Sequence, residues 1–231
     1  MGNVERASDL VEKALVQSIL AYKLLPHTSL KPERELAAIY GVGRPAVREA
    51  IQRMERDGWV TLRKGMPPTV NDYLQQGNLM TIVSLLKSYE NIPREWISYL
   101  LKLRISLTPA YIRDAVETKR TEAAALLIRA DDLKHAADDF ARFDWDLQRG
   151  MAALSSNPMY LLIINSFTDF YMAMAMQYFR EESHRIASGK YYKVLLEAVL
   201  AGSSREAESI ARKMMQDSLV LWEAENEELK K

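Results

Sequence analysis

The sequence predicts a mainly α-helical protein in two parts: an N-terminal winged helix-turn-helix with a small β-hairpin, and a C-terminal all-α bundle of six or seven helices. Three observations carry this prediction. The length of 231 residues favours two domains. Residues 5–57 contain three short stretches with helical apolar spacing, followed by a stretch that alternates like a strand. Beyond residue 78, the apolar patterns have helical spacing and turn signals separate them.

Composition narrows the class of protein. Apolar residues make up 48% of the chain, and the formal net charge is zero, so no strongly basic coat for nucleic acid is present. The chain has no cysteine, which excludes disulfides, thiolate catalysis and cysteine-based zinc sites. It has neither a signal-peptide pattern nor an apolar run long enough to span a membrane. We therefore expect a soluble, cytoplasmic protein without membrane association.

The first seventy residues predict three helices and a hairpin in order. Residues 5–24 have helical apolar spacing, and a second, short helix starts at Pro32, with glutamates in its first turn. A glycine-containing turn at 40–43 leads into a third helix, which runs from about Arg44 to Asp57 before Gly58.

After this helix, the sequence predicts a hairpin. Residues 59–62 alternate like a strand, residues 63–68 form a basic tip rich in turn residues, and Thr69-Val70 provides the returning strand. Three helices followed by such a hairpin are the layout of a winged helix-turn-helix.

The third helix has the pattern of a helix that enters a DNA groove. Arg44 and Arg48 lie four residues apart and share a face, and an arginine fork can bind guanine O6 and N7. The opposite face is apolar, with Val47, Ala50, Ile51 and Met54. The alternative is a solvated charged helix whose arginines pair with Glu49 and Glu55, but the complete order of turn, helix, strand and basic tip favours DNA binding.

The segment LKPERELAAIYGVGRPAVREAIQRMERDGWVTLRKG resembles the DNA-binding domain of the GntR family of bacterial regulators. The resemblance implies that Arg34, Arg44 and Arg48 bind operator DNA, together with the wing tip at Lys64 and Gly65. Gly43 stands where relatives often have Ser or Thr, and Pro45-Ala46 where many have two threonines. We therefore expect contacts mainly from arginines and backbone N–H groups. The predicted DNA-binding residues are Arg34, Gly43, Arg44, Pro45, Ala46, Arg48, Lys64 and Gly65.

The polar, turn-prone residues after position 70 predict the joint between the domains. We expect a DNA-binding domain at 1–73, a linker at 74–78 and a helical effector-binding and dimerisation domain at 79–231. In the second domain, Pro109 is expected to kink or end a long helix that starts at Pro93.

The segment FARFDWDLQRGMAALSSNPMYLLIINSF resembles the effector domain of the FadR subgroup of that family. The resemblance implies a homodimer that reads a short palindrome. It also implies an effector related to fatty-acid metabolism, either a long-chain acyl-coenzyme A or a fatty acid. The ligand-binding residues that it implies are Arg104, Tyr171, Tyr178, Tyr192, Met215, Asp217, Ser218 and Trp222.

Many relatives with this helical domain hold a metal through one aspartate and three histidines. Asp144 is retained here, but the histidine positions fall on or beside Gln148, Lys193 and Met214 or Met215. We therefore expect no metal and no cofactor. A regulator that senses a small carboxylate through the same domain is the alternative. We expect no enzyme, because no Ser-His-Asp set or phosphate loop is present, and because Asp144 and Asp146 lie two apart on a helix and do not face each other.

Overall fold

The computed structural model describes residues 6–89 and 91–228. The predicted fold class is confirmed, because a two-stranded sheet accompanies helices along the rest of the chain. The chain divides into two compact units, residues 1–90 and 91–231. In the part of the chain that the structure describes, no helix is both long enough and apolar enough to cross a membrane.

The first unit contains the predicted helix-turn-helix and wing. Its strands pair antiparallel, with Val60 opposite Val70 and Thr61 opposite Thr69. Gly41 has a left-handed backbone (φ 65°) at the end of the second helix, which glycine adopts without strain. The elements are α1 (Ala7–Leu20), α2 (Glu33–Tyr40), α3 (Arg44–Arg56), β1 (Val60–Thr61), β2 (Thr69–Val70), α4 (Tyr73–Gln76) and α5 (Leu79–Ser88).

The helix α5 packs within the first unit, so this division differs from the predicted domains at 1–73 and 79–231. Trp59 is fully buried and donates its indole N–H to the Ser84 hydroxyl at 3.0 Å. The Thr81 hydroxyl donates to the Asp57 carbonyl at 2.5 Å. The predicted linker at 74–78 contains most of α4 and the capping residue of α5. These buried contacts join α5 to the end of α3.

The second unit is an all-α bundle, as the sequence predicts. Its longest helix passes through Pro109 and has its backbone break at Lys119 instead (φ −142°, ψ 54°). Of the two expected outcomes at Pro109, a kink or an end of the helix, the end is therefore wrong. The helices are α6 (Arg94–Ile128), α7 (Ala137–Leu154), α8 (Pro158–Asn165), α9 (Thr168–Tyr178), α10 (Glu182–Leu200) and α11 (Ser204–Glu228), with a short 3₁₀ turn at Arg129–Asp132.

Replacing Trp59 with alanine is expected to lower the free energy of opening of α3 by about 3–5 kcal/mol, because a fully buried aromatic side chain is lost. Hydrogen exchange of the α3 amides measures this free energy. Trp59→Phe keeps an aromatic ring at this position and is expected to lower the free energy of opening by less. Leu74→Ala is the control, because Leu74 is exposed. Protection of α3 in Trp59→Ala equal to that of the wild type would contradict the packing role.

Candidate DNA-binding surface and effector cavity

The two faces of α3 are clearly separated. Val47, Ala50, Ile51 and Met54 are buried, whereas Arg44 and Arg48 are exposed. Burial of the apolar row fixes the rotation of the helix, and this rotation directs both arginines to solvent. The predicted face for DNA is therefore an accessible, positively charged surface.

The start of α3 offers few backbone donors. Gly43 is its N-cap residue, and Pro45 in the first turn has no N–H. The Ala46 N–H donates to the Gly43 carbonyl at 3.0 Å. This leaves the Arg44 N–H without a hydrogen-bond partner among the described residues. The Arg44 N–H is therefore a backbone donor that remains available at the start of α3.

Arg48 is held by an acidic residue of α2. Its Nε donates to Glu33 Oε1 at 3.1 Å and its Nη2 donates to Glu33 Oε2 at 2.8 Å. The Arg48 side chain is nevertheless 59% exposed. These hydrogen bonds lower the pKa of the Glu33 carboxyl. By contrast, Arg44 forms no hydrogen bond or ion pair with any described residue. Sequence reasoning missed Glu33, although it is the first residue of a helix that packs against α3.

The remaining arginines of α3 have structural partners. Arg53 contacts Glu12 at 2.6 Å and Asp9 at 2.9 Å, both on α1. Arg56 pairs with Asp57 at 2.6 Å. The alternative of arginines paired with neighbouring acids therefore applies to this end of the helix. Arg56 is as exposed as Arg48, but it lies at the opposite end of α3 from Arg44.

The wing and α2 complete the surface. Arg34, Lys64 and Gly65 are all exposed. Gly65 has a positive φ of 77°, and a Cβ added there would meet no atom within 4 Å. Glycine is therefore favoured at this tip by its backbone conformation and not by close packing. The predicted DNA-binding residues all belong to the first unit and lie on α2, at the start of α3 and at the wing tip.

The second unit contains two small, neighbouring and mainly apolar cavities of about 70 and 40 Å³. Both are lined by Leu100, Arg104, Tyr171 and Met174. The larger also has Trp145 and Phe167 in its wall. The smaller also has Asp144 and Tyr178 in its wall. An apolar cavity with a few polar groups is typical of a site for a small molecule.

Asp144 is the centre of a buried hydrogen-bond network between these cavities. Its side chain is only 5% exposed, and Arg104 Nη2 lies 3.1 Å from its Oδ2. It accepts further hydrogen bonds from the Tyr171 hydroxyl, from the Tyr192 hydroxyl at 3.0 Å and from Gln148 Nε2 at 3.2 Å. Both carboxylate oxygens are thus compensated by donors, as a buried charge requires.

The network continues beyond Asp144. Tyr111 donates to Gln148 Oε1, and its hydroxyl lies 3.0 Å from Thr108 Oγ1. Burial raises the pKa of the phenols of Tyr171 and Tyr192 well above the usual range, and the negative charge of Asp144 adds to this effect. The tyrosines therefore stay protonated and act as hydrogen-bond donors.

The predicted ligand residues fall into three groups. Arg104, Tyr171 and Tyr178 line the cavities, and Tyr192 reaches Asp144. Asp217 is exposed on α11. The other three lie buried on α11 outside both cavity walls, and they are Met215, Ser218 and Trp222.

Trp222 and Trp145 have different environments. The Trp222 indole N–H donates to the Arg94 carbonyl at 3.2 Å, and the Arg94 guanidinium lies 3.9 Å from its ring centre. Trp145 was missed as a cavity residue, yet its ring centre lies 4.6 Å from that of Tyr171. Its position next to Asp144 in the matching segment was the available signal.

The residues at the metal-ligand positions of relatives form a different site here. Asp144 forms an ion pair with Arg104, and Gln148 donates a hydrogen bond to Asp144. Lys193 is exposed. An arginine cation beside the carboxylate and an amide at a histidine position do not suit a divalent transition metal. The residues present therefore do not fit the metal of those relatives.

Replacing Asp144 with alanine is expected to destabilise the second unit by about 3–5 kcal/mol, because Arg104 and two tyrosine hydroxyls lose their acceptor. Denaturant unfolding followed by circular dichroism measures the change. Asp146→Ala, an exposed substitution two residues away on α7, is the matched control. Equal stability of the two variants would argue against Asp144 as the centre of the network.

Two family models match the chain, and they meet at residues 70 and 71, before α4 and α5. Residues 7–70 match the model described as bacterial regulatory proteins, gntR family, and residues 71–231 match the FadR C-terminal domain. The fatty acid metabolism regulator protein of Shewanella halifaxensis is 31% identical over 222 residues, which cover 96% of this chain and 93% of that protein. The fatty acid metabolism regulator protein of Enterobacter sp. is 33% identical over 213 residues, which cover 91% of this chain and 88% of that protein.

A solved structure described as "Lar controls the expression of the Listeria monocytogenes agr system and mediates virulence" aligns with a TM-score of 0.64. The alignment covers 96% of this chain and 99% of that one at 16% identity, so it bears on the fold alone. The resemblance predicted from the sequence is confirmed, and the family indicates a regulator and not an enzyme. The chain therefore belongs to the gntR family of bacterial regulatory proteins and carries the FadR C-terminal domain.

Proposed function

We propose that this protein is a cytoplasmic, homodimeric transcription regulator of fatty-acid metabolism that binds operator DNA through α3 and the wing. The supporting observation is the exposed pair of Arg44 and Arg48 on a helix whose other face is buried. Relatives named fatty acid metabolism regulator, which are similar over most of the chain, support the metabolic role. A symmetric dimer would present two such helices to the halves of a palindrome.

The effector that suits the cavities best is a long acyl chain, either as acyl-coenzyme A or as a fatty acid. The walls are mainly apolar, and the arginine that faces both cavities is already paired with Asp144. A small carboxylate inside these walls would have to compete with Asp144 for Arg104, whereas the tail of an acyl effector needs only apolar contact. This observation favours the acyl effector over the alternative of a small-carboxylate sensor.

Control of DNA binding requires that the effector prefer one arrangement of the protein. A ligand shifts an equilibrium only by its difference in affinity for the two states. The side chains of Leu100, Arg104, Tyr171 and Met174 stand in both cavity walls. Entry of an acyl chain between them would displace the α6 and α9 groups that surround the Asp144 network. We propose that this displacement is the signal passed to the DNA-binding unit.

Arg44→Ala and Arg48→Ala are each expected to weaken specific DNA binding by about 1–3 kcal/mol, because each removes a fork that can read guanine. Gel-shift titration measures the loss with a duplex that the wild-type protein selects from a random library. Arg113→Ala is the control, since Arg113 is an exposed arginine of the second unit. Unchanged affinity in both α3 variants would exclude this face as the DNA contact.

Oleoyl-coenzyme A is expected to weaken binding to the selected duplex and to change tryptophan fluorescence. The change should be lost in Trp145→Phe, because Trp145 lines the larger cavity. It should persist in Trp222→Phe, because Trp222 lies outside both cavity walls.

If calorimetry detects no heat of binding for either acyl-coenzyme A or free fatty acid, the acyl effector is rejected. Stoichiometric zinc or nickel in the purified protein would favour the small-carboxylate alternative.

A further inference from the structure

The pairing of Glu33 with Arg48 indicates a role for an acidic residue on the DNA-binding surface. We propose that Glu33 is a positioning residue for DNA recognition, whose carboxylate holds the Arg48 guanidinium with its free end directed outward. The inference rests on the proposed DNA-binding function. It differs from the simpler view that each exposed arginine of α3 acts alone.

The ion pair with Glu33 leaves the outer end of the Arg48 guanidinium available to bind DNA. Glu33 takes the edge formed by Nε and Nη2, with distances of 3.1 and 2.8 Å. Two N–H groups of Nη1 and one of Nη2 remain, and one from each nitrogen forms a second fork at the end of the side chain. That fork can bind the two acceptors of a guanine while the Glu33 contacts persist.

Glu33 is itself well fixed. It is the first residue of α2, where the helix dipole stabilises a negative charge. Leu36 and Ala37 of the same helix are buried, and α2 packs against α3. The carboxylate is therefore carried by a rigid element and not by a mobile loop. Its ion pair joins the two helices of the helix-turn-helix on their exposed side.

Arg44 and Arg48 differ in how strongly their side chains are ordered before DNA binds. Glu33 also attracts Arg44 electrostatically, but only Arg48 forms hydrogen bonds with it. Arg48 is thus ordered before DNA arrives, whereas Arg44 has no hydrogen-bond partner among the described residues. An ordered side chain loses less conformational freedom on binding. Arg48 therefore supplies a fork in a fixed orientation, and Arg44 adapts to the DNA.

A carboxylate at this position has two opposite effects on DNA binding. By orienting Arg48, it strengthens binding to the correct sequence, because only there does the fork meet matching acceptors. By its negative charge, it weakens contact with any phosphate backbone. Removal of Glu33 should therefore lower specific affinity and raise non-specific affinity. A residue with only a structural role would not produce changes of opposite sign.

The test compares Glu33→Ala with the wild type on two duplexes, one selected by the wild-type protein from a random library and one of the same length with that sequence scrambled. Affinity for the selected duplex is expected to fall about 3- to 10-fold, which corresponds to the ordering of one side chain. Affinity for the scrambled duplex is expected to rise. Glu33→Gln retains one acceptor for Arg48 and is expected to lie between Glu33→Ala and the wild type on the selected duplex.

Two controls separate orientation from charge. Glu35→Ala removes the same charge from α2, but Glu35 is exposed and forms no hydrogen bond with any described arginine. The affinities of Glu35→Ala for the selected and the scrambled duplex should therefore not change in opposite directions. In an Arg48→Ala background, Glu33→Ala should cause no further loss on the selected duplex. A similar loss in that background, or tighter specific binding by Glu33→Ala alone, would overturn the proposal. Failure of the wild type to select any duplex would instead reject the DNA-binding function.

Discussion

The second unit depends on the hydrogen bonds and the ion pair that neutralise the buried Asp144 carboxylate. An ionised carboxylate inside a helical bundle is stable only if its charge is matched and its oxygens accept hydrogen bonds. Donors on three other elements meet this requirement: Arg104 from α6, Tyr171 from α9 and Tyr192 from α10. The same contacts hold those helices around α7. The cavities lie beside this network, so a ligand that enters them must act on it.

The arginines of α3 differ in their partners and in their exposure. Arg53 is paired with acids of α1, and it stabilises the packing of the two helices. Arg48 has one acidic partner and one free end, and Arg44 has no ion-pair partner among the described residues. Arg53 is thus the least available of these three arginines and Arg44 the most. A formally neutral chain can in this way present a local surface for a polyanion.

Local rules predicted most of the individual elements. The short apolar periods of α1 to α3, the glycine turn at Gly41 and the hairpin all follow from local preference, so the sequence and the structure agree on them. Pro109 is different, because proline normally breaks a helix, yet α6 continues through it. Pro109 is buried, and packing in the bundle outweighs the lost backbone hydrogen bond. The helix propensity of the local sequence does not include the free energy of such packing.

The sequence by itself determined the family, the two-part architecture, and Arg44 and Arg48 as the exposed face of α3, because these depend on periodicity and on a specific motif. Only the tertiary structure decided that α5 packs with the first unit, that Glu33 holds Arg48, and that Tyr111, Gln148 and Asp144 form one network. Apart from Asp144 and Gln148, which lie one turn apart on α7, these contacts join residues of different elements. Their contacts arise from the packing angles and side-chain rotamers of separate helices, which no local sequence pattern encodes.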